Sequence, residues 1–218
     1  MSGKNPHEFR TRALTGGLIV AVVTGAVMWS VWSNALLWVV VATMSWIEWL
    51  NAPEGPVTKW PKALLFLFPV PALLALIWMG LAEPFQVCDF QYDPNPTLFF
   101  IWMIWANDTG AYLVGKPLGK RKIWPSVSPG KSWEGALGGA LSASLVAWAS
   151  LGVEWSWMGF VMGFLSTAGD LTQSAWKRRR NLKDSGTLLP GHGGIMDRFD
   201  GFVYAAPVYV VLWCIFTP

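Results

Sequence analysis

The sequence predicts an all-α, polytopic integral membrane protein that crosses the bilayer about seven times, and three observations lead to that fold class. Hydrophobic residues fill 53% of the 218 positions and charged residues only 13%, about half the charged fraction of a soluble domain. Apolar segments of about 17 to 20 residues recur along the chain, each long enough to cross the hydrocarbon core as a helix. The 16 Lys and Arg residues lie outside these segments, before the first one and in every second connection, and so on one side of the predicted membrane.

The spans follow one another with short connections between them. We expect them at Ala13–Ser30, Asn34–Leu50, Ala63–Ala82, Thr97–Val114, Glu134–Gly152, Trp157–Trp176 and Phe202–Phe216. Tryptophan, which occurs 16 times, is frequent near their ends, where its amphipathic ring prefers the headgroup zone. The fifth span begins with glycine and serine, a small-residue face that allows another helix to approach closely. No connection is long enough for a soluble domain, so residues 1–218 are predicted to form a single transmembrane domain.

The basic residues orient the chain, because Lys and Arg stay on the cytoplasmic side. Lys4, Arg10 and Arg12 place the N-terminus in the cytoplasm. The other cations fall in three inner loops: Lys59, Lys62, Lys116, Lys120, Arg121, Lys122, Lys131, Lys177, Arg178, Arg179, Arg180, Lys183 and Arg198. The remaining connections contain acids and neither Lys nor Arg. We therefore expect a multi-pass protein of the cell (inner) membrane with its C-terminus outside.

Two acids lie inside predicted spans. Asp108 and Asp170 each precede the inner end of their span by about two helical turns. An ionised carboxylate in hydrocarbon costs about 3 kcal/mol, so each side chain should face a polar cavity, a metal or a cation. Because the two depths match, the sequence predicts one shared cavity that opens to the cytoplasm.

A polar stripe follows one face of the sixth span. Its members have the helical spacing i, i+3, i+4 and i+7: Asp170, Gln173, Ser174 and Lys177. By the same spacing, Asp197 and Asp200 are expected on one face at the start of the seventh helix. With Asp170 they form an all-oxygen set suited to a hard cation such as Mg²⁺.

Two inner loops carry glycines beside cations. Pro190–Gly194 has glycines whose backbone N–H groups can approach phosphate oxygens, although a sharp turn before the last span is the alternative. His192 in this loop has three open roles: general base, phosphate donor or loop hydrogen-bonding group. In the preceding inner loop, Lys120–Lys122 could instead bind lipid headgroups. Gly130-Lys131-Ser132 is not a P-loop, because Pro125 occupies the required glycine position.

Together these residues closely resemble the phosphatidate cytidylyltransferase family. The pattern S-x-x-K-R-x4-K-D-x5-P-G-H-G-G-x-x-D-R-x-D matches without a gap from Ser174 to Asp200, and Gly169-Asp170-Leu171 precedes it. Segments 108–112 and 128–135 are also similar, so the likeness covers about the C-terminal half, which we take as the catalytic half, residues 97–218. The resemblance implies transfer of CMP from CTP to phosphatidic acid, yielding CDP-diacylglycerol and pyrophosphate. It further implies a divalent metal, the cytoplasmic leaflet and a homodimer.

The resemblance and the pattern together assign roles to individual residues. Those expected to be catalytic are Asp170, Lys177, Arg178, His192, Asp197 and Asp200. Mg²⁺ is expected at Asp170, Asp197 and Asp200. Those expected to bind substrate are Asp108, Ser128, Lys131, Ser174, Lys183, Asp184, Gly193, Gly194 and Arg198. Asp108 and the Ser128–Glu134 loop are assigned either to the nucleotide or to a second cation.

Other functions remain open. Gln173 stands where the family usually has Glu, which leaves open a noncatalytic relative that binds nucleotide or lipid and regulates a partner. A cation-coupled membrane transporter would explain Asp108 and Asp170, but not Pro190–Gly194 or the clustered cations. A CDP-alcohol phosphatidyltransferase would carry D-G-x-x-A-R, which is absent from this sequence. The expected partners are CTP, phosphatidic acid, membrane lipid and a second copy of the chain, with no nucleic acid.

Overall fold

A computed structural model describes residues 6–53, 92–189 and 193–216; for residues 6–13 it describes the backbone alone. Most of this described chain is helical. The α-helices are α1 Pro6–Trp29, α2 Val31–Asn51, α3 Asn95–Leu118, α4 Trp133–Leu151, α5 Ser156–Arg179 and α6 Phe202–Phe216. Each coincides with a segment predicted to be helical. The predicted span Ala63–Ala82 and its flanking cations Lys59 and Lys62 lie outside the described residues.

Serine separates α1 from α2. The Ser30 hydroxyl accepts a hydrogen bond from the Ser33 backbone N–H at 3.2 Å, and the Ser33 hydroxyl accepts one from the Ser30 N–H at 3.0 Å. This reciprocal capping box satisfies N–H groups that the first turn of a helix leaves unpaired. The Ser33 hydroxyl also bonds to the Ala26 carbonyl, so the two apolar helices are joined by a tight turn.

Small residues bring α3, α4 and α5 together. A Cβ atom at Gly139 of α4 would lie 2.5 Å from Asn107 Oδ1 of α3, and one at Gly163 of α5 would lie 2.6 Å from Ala140 Cα of α4. A larger residue at either glycine would push two helix backbones apart. The glycine-rich start of α4 therefore packs against a neighbouring helix, as the sequence predicts.

Aromatic rings form the core between α2, α3 and α6. Trp38 of α2 meets Phe199 edge to face at a centroid distance of 5.6 Å, and Phe100 of α3 meets Phe202 and Tyr209 of α6 at 5.3 and 5.1 Å. Edge-to-face and offset rings at such separations pack favourably. Because Phe199 lies between Asp197 and Asp200, this core anchors the segment that carries both acids.

A short β-hairpin, which the sequence analysis did not predict, connects α3 to α4. Strands β1 (Lys122–Trp124) and β2 (Ser128–Ser132) pair antiparallel, with Lys122 opposite Ser132 and Trp124 opposite Ser128. The Ser132 hydroxyl then caps α4 by accepting the Gly135 N–H at 3.2 Å. The hairpin therefore fixes Lys131 directly before the N-terminus of α4.

One helix in the described part of the chain, α2, is long and apolar enough to cross a membrane by length and composition. Only 28% of that apolar window is buried inside the protein. Leu14–Trp29 of α1 and Phe202–Phe216 are shorter apolar helices. Helices α3 and α5 contain polar and charged residues, among them Asp108 and Lys177, which lower their hydropathy.

Candidate active site

Asp108 and Asp170 line one cavity of about 320 Å³. Its wall combines residues of α3, the hairpin, α4 and α5, and several of them are small, including Ala111, Gly115 and Gly135. A Cβ at Gly115 would lie 3.2 Å from Gly135 Cα, so the two helices almost touch there. The cavity is therefore a cleft whose polar groups come from α3, α5 and β2.

An ion pair crosses this cleft. The Lys131 ammonium of β2 contacts Asp170 Oδ2, and the Ser174 hydroxyl donates to Asp170 Oδ1 at 3.3 Å. The side chains of Lys131 and Asp170 are 26% and 30% exposed, so both ends of the pair remain accessible from the cleft. Lys131, Ser174 and Asp170 thus meet, although they come from loops and spans that the sequence separates.

The polar stripe predicted on the sixth span faces inward along α5. Gln173, Ser174 and Lys177 are all buried, while Asp170 is half-buried at the cleft. Gln173 is 5% exposed, and neither atom of its amide has a hydrogen-bond partner. Helix α5 therefore carries one polar face inside the protein, with an unpaired amide at its centre.

Asp197 is not on α6, which corrects the expectation that Asp197 and Asp200 share a helical face. Asp197 belongs to a 3₁₀ turn, Met196–Arg198, and α6 begins only at Phe202. The turn is closed by the Arg198 N–H, which donates to the Ile195 carbonyl. A spacing of three residues therefore did not place these two carboxylates on one helical face.

The Asp197 carboxylate is fully engaged. The Lys177 ammonium donates to Oδ1 at 2.6 Å, while the N–H groups of Ser185 and Gly194 donate to Oδ2 at 2.7 and 3.0 Å. Burial raises the pKa of Asp197, but the hydrogen bonds from Lys177, Gly194 and Ser185 outweigh burial and lower it below its ordinary value. Asp197 is therefore a buried, ionised anchor for the loop.

Asp200 lies close to the cleft acids. Burial raises its pKa well above the ordinary value, the charges of Asp170 and Asp108 raise it further, and Lys177 and Lys131 act in the opposite direction. Gly169 of α5 makes this position possible, because a Cβ there would collide with the Asp200 carbonyl oxygen. The charges of Asp170 and Asp108 therefore disfavour a charge on Asp200, and Lys177 and Lys131 compensate this in part.

The glycine loop is only partly within the described residues, since Pro190, Gly191 and His192 lie outside them. Gly193 has a positive φ of 81°, which favours glycine, and its carbonyl accepts the Leu189 N–H at 2.9 Å. The Gly194 N–H already donates to Asp197, so it is not free for the phosphate contact that the sequence predicts.

The remaining predicted site residues lie around this loop. Arg178 donates to the Val127 carbonyl at 3.3 Å and to the Leu182 carbonyl at 2.8 Å, which links the hairpin turn to the loop after α5. Ser128 is half-buried at the start of β2. Lys183, Asp184 and Arg198 are exposed. These exposed groups are placed to meet a ligand but do not converge on one point.

In the described ranges, no three His, Cys, Asp or Glu side chains lie close enough together to hold a metal ion. Asp108, Asp170 and Asp200 nevertheless act on one another electrostatically, and all their ligand atoms are oxygen. Asp197 is turned toward Lys177 instead. Oxygen ligands of this kind suit a hard cation, but these three acids do not lie close enough to hold one together, and Asp197 would have to release Lys177 in order to bind one.

Sequence reasoning missed Glu48. From α2, its Oε1 accepts the Ile195 N–H at 2.7 Å, and its Oε2 accepts the Met196 N–H at 3.0 Å and the Ser185 hydroxyl at 2.9 Å. The signal was present, because Glu48 is the only charged residue of α2. It was overlooked because it lies near the end of a span.

Asn107 was also missed. It is buried beside Asp108, lines the cleft, and donates from its amide nitrogen to Asp108 Oδ1 at 3.4 Å. Its Oδ1 occupies the space left by the absent side chains of Gly139 and Gly163. Asn107 therefore couples the packing of three helices to the position of an acid in the cleft.

Comparison with known proteins confirms the resemblance found in the sequence. A family model described as the cytidylyltransferase family matches residues 11–216. The chain is 43% identical over 135 residues to the phosphatidate cytidylyltransferase of Bacillus subtilis (strain 168), which covers 58% of this chain and 50% of that protein. It is 34% identical over 186 residues to the Haemophilus influenzae phosphatidate cytidylyltransferase, covering 75% and 65% of the two chains. For the Staphylococcus aureus (strain COL) enzyme the identity is 42% over 153 residues, covering 64% and 57%. The chain spans between half and two thirds of the length of these curated relatives.

Proposed function

The chain belongs to the cytidylyltransferase family, and we propose that it is a nucleotidyltransferase that transfers CMP from CTP to phosphatidic acid. The products are CDP-diacylglycerol and pyrophosphate. One observation carries the proposal: α5 presents Asp170 to the cleft at one position and Lys177 to Asp197, just after the glycine loop, two turns later. A single rigid helix thus joins a cluster of acids to the segment rich in cations and glycines.

We propose that the protein spans the membrane about seven times, with its N-terminus and active site on the cytoplasmic side. Large apolar side chains that remain exposed on several helices support this, since soluble monomers rarely present so much apolar surface. Examples that expose more than half of their surface are Leu14, Trp29, Trp32, Leu36, Leu113 and Leu145. The segregation of the cations supports the orientation.

Electrostatics dominate the proposed reaction. A phosphate oxygen of phosphatidic acid attacks the α-phosphorus of CTP, a new P–O bond forms, and the bond to the leaving pyrophosphate breaks. Each pair of unit charges 4 Å apart costs about 4 kcal/mol at an effective dielectric of 20, so cations must surround the site. The nucleophile is already an anion, and positioning therefore matters more than proton transfer.

The cations of this chain suit different tasks. Lys131 is accessible in the cleft and can exchange Asp170 for a phosphate, because both ends of that ion pair are partly exposed. Lys183 and Arg198 are exposed beside the glycine loop. Lys177 and Arg178 are held by Asp197 and by backbone carbonyls, so they contribute a fixed positive field. These groups would bind and orient the triphosphate and the lipid phosphate.

Bound Mg²⁺ would neutralise charge on the triphosphate and on the leaving pyrophosphate. We propose that Asp170 and Asp200 hold it, and that Asp197 becomes a ligand only when its ion pair with Lys177 breaks. The charges of Asp170 and Asp108 raise the pKa of Asp200, and a bound cation would offset that repulsion. Asp108 is either a ligand for a second cation or a contact for the nucleotide.

A turnover assay tests the proposed function. Purified protein in detergent, given radiolabelled CTP, phosphatidic acid and Mg²⁺, should transfer label into a lipid-soluble product and release an equal amount of pyrophosphate. Omitting phosphatidic acid is the matched control and should abolish the transfer. Retained CTP binding without transfer would instead identify the chain as a noncatalytic relative, an alternative suggested by Gln173. Cation-driven uptake by reconstituted vesicles, without lipid product, would identify a transporter.

Cysteine labelling tests the orientation. In a background that lacks Cys88 and Cys214, a cysteine at Pro94 should react with an impermeant reagent added to intact cells. A cysteine at Lys122 should react only after permeabilisation. The reverse pattern would put the proposed site on the outer face. The mass of the protein in detergent tests the proposed homodimer.

A further inference from the structure

We propose that Glu48 is a positioning residue for the proposed CMP transfer: its carboxylate, supplied by α2, holds Ser185, Ile195 and Met196 in place so that Asp197 can bind Lys177. Neither the sequence pattern nor the named relatives assign a role to this position. The proposal rests on the proposed function for its effect on turnover, but the contact itself can be tested separately.

Glu48 accepts hydrogen bonds from three donors. The Glu48 oxygens bind groups on both sides of the glycine loop in the sequence: the Ser185 hydroxyl before it, and the Ile195 and Met196 N–H groups after it. These donors lie 137 to 148 residues away in the sequence. Glu48 therefore links Ser185 to Ile195 and Met196.

Asp197 also binds two backbone groups, the N–H of Ser185 before the glycine loop and the N–H of Gly194 at its end. Ser185 gives its hydroxyl to Glu48 and its N–H to Asp197. Gly194 gives its N–H to Asp197, and the next two residues give theirs to Glu48. Three consecutive N–H groups are thus divided between two carboxylates. Loss of Glu48 would leave Ile195 and Met196 unpaired and free to turn, which would shift the Asp197 contact with Lys177.

Two glycines, Gly186 and Gly194, leave room for the Glu48 carboxylate. The space around the Glu48 carboxylate is built from glycine, since a Cβ at Gly186 would lie 2.7 Å from Glu48 Oε1 and 2.9 Å from its Cδ, with no other group among its three nearest atoms. A Cβ at Gly194 would collide with both Glu48 Oε2 and the Ser185 hydroxyl. Gly186 therefore offers a substitution whose nearest contacts are all with the Glu48 side chain.

The experiment measures steady-state kinetics of wild type, Glu48→Ala, Glu48→Gln, Gly186→Ala and the double variant Glu48→Ala/Gly186→Ala. Glu48→Ala should lower kcat by about tenfold to a hundredfold, the loss expected when reacting groups are displaced by about 1 Å, and change the KM for CTP less. Glu48→Gln keeps one carbonyl oxygen for the Ile195 N–H and should lie between wild type and Glu48→Ala. Glu154→Gln, an exposed acid in the turn before α5, is the matched control and should keep wild-type kinetics.

The double variant separates positioning from general weakening of the fold. If Gly186→Ala acts by displacing the Glu48 carboxylate, it should lower kcat in the wild-type background and add less than about twofold in the Glu48→Ala background. Independent effects that multiply would overturn the proposal. Normalising to the monodisperse fraction from size-exclusion chromatography removes differences in yield.

Hydrogen exchange of the segment around Ile195 and Met196 tests the contact without reference to activity. Exchange should be faster in Glu48→Ala than in wild type or Glu154→Gln. Unchanged exchange, or faster exchange with wild-type kcat, would overturn the positioning role. If wild type itself transfers no CMP, the proposed function fails, and the exchange result alone then decides whether Glu48 holds the loop.

Discussion

Two lysine–aspartate pairs flank the polar face of α5, and they differ in burial and in the other partners of the carboxylate. The side chains of Lys131 and Asp170 are 26% and 30% exposed at the cleft, whereas those of Lys177 and Asp197 are 10% and 3% exposed. Besides its lysine, Asp170 has one hydroxyl contact at 3.3 Å. Asp197 receives two further backbone N–H groups.

This difference separates an exchangeable contact from a fixed one. Ion pairs that solvent reaches contribute less than buried ones, and the cleft pair is partly exposed, so a competing metal or phosphate can replace either partner. Removing one partner of a buried pair leaves an uncompensated charge and costs about 3 to 5 kcal/mol. The cleft pair is therefore suited to meet substrates, and the buried pair is suited to hold the glycine loop against α5.

The largest expected effect on Tm and turnover comes from breaking the buried pair Lys177–Asp197. Asp197→Asn should lower Tm by about 10 °C, since Lys177 would lose its countercharge, and should reduce turnover by more than about 100-fold. Differential scanning fluorimetry in detergent and the turnover assay measure the two effects. Lys177→Met/Asp197→Leu should recover only part of the Tm without recovering activity, because it removes both charges but leaves the Ser185 and Gly194 N–H groups without an acceptor. A Tm for Asp197→Asn within about 2 °C of wild type would contradict the assignment of this pair as a structural anchor.

The cleft pair should behave in the opposite way. Asp170→Asn should reduce turnover by more than about 100-fold while changing Tm by less than about 3 °C, because the acid is partly exposed and its ion pair is weak. The same two measurements apply. Turnover within about tenfold of wild type at saturating Mg²⁺ would remove Asp170 from the reacting site.

Gln173 lies on the same face of α5, between the two pairs, and its amide is unpaired in the structure. Gln173→Glu would add a fourth carboxylate near the cleft. We expect the Mg²⁺ concentration for half-maximal turnover to fall by about three- to thirtyfold, which corresponds to about 0.7 to 2 kcal/mol. A changed lipid preference with the same Mg²⁺ titration would indicate an altered acceptor site. If both are unchanged, the side chain faces away from the chemistry.

The smallest effect is expected at Lys131. Lys131→Met frees Asp170 from its competitor, so half-saturating Mg²⁺ should fall by about 1.5- to fivefold, the equivalent of a weak exposed ion pair. The KM for CTP should rise, since the same lysine is proposed to bind phosphate. Lys122→Met on the neighbouring strand is the control. A lower KM for CTP would show that Lys131 obstructs the nucleotide.

The sequence predicted the helices and the polar face of α5 because both depend on local spacing. Apolar segments of span length match α1 to α6, and the i, i+3, i+4, i+7 pattern from Asp170 to Lys177 holds within one continuous helix. Glycines at the start of α4 indicated close packing without giving its partner. The motif from Ser174 to Asp200 indicated the family.

The tertiary structure decided which acid meets which group. Helical spacing has no meaning across the Met196–Arg198 turn, so Asp197 pairs with Lys177 and Asp200 approaches the cleft acids. Glu48 is 147 residues from Ile195, and their hydrogen bond exists only because α2 packs beside the turn. Periodicity fixes which side chains share a face of one element. The contacts between elements depend on how the helices pack. Here the packing depends on glycines that let helices approach closely and on an aromatic core, and local sequence patterns do not specify which helices meet.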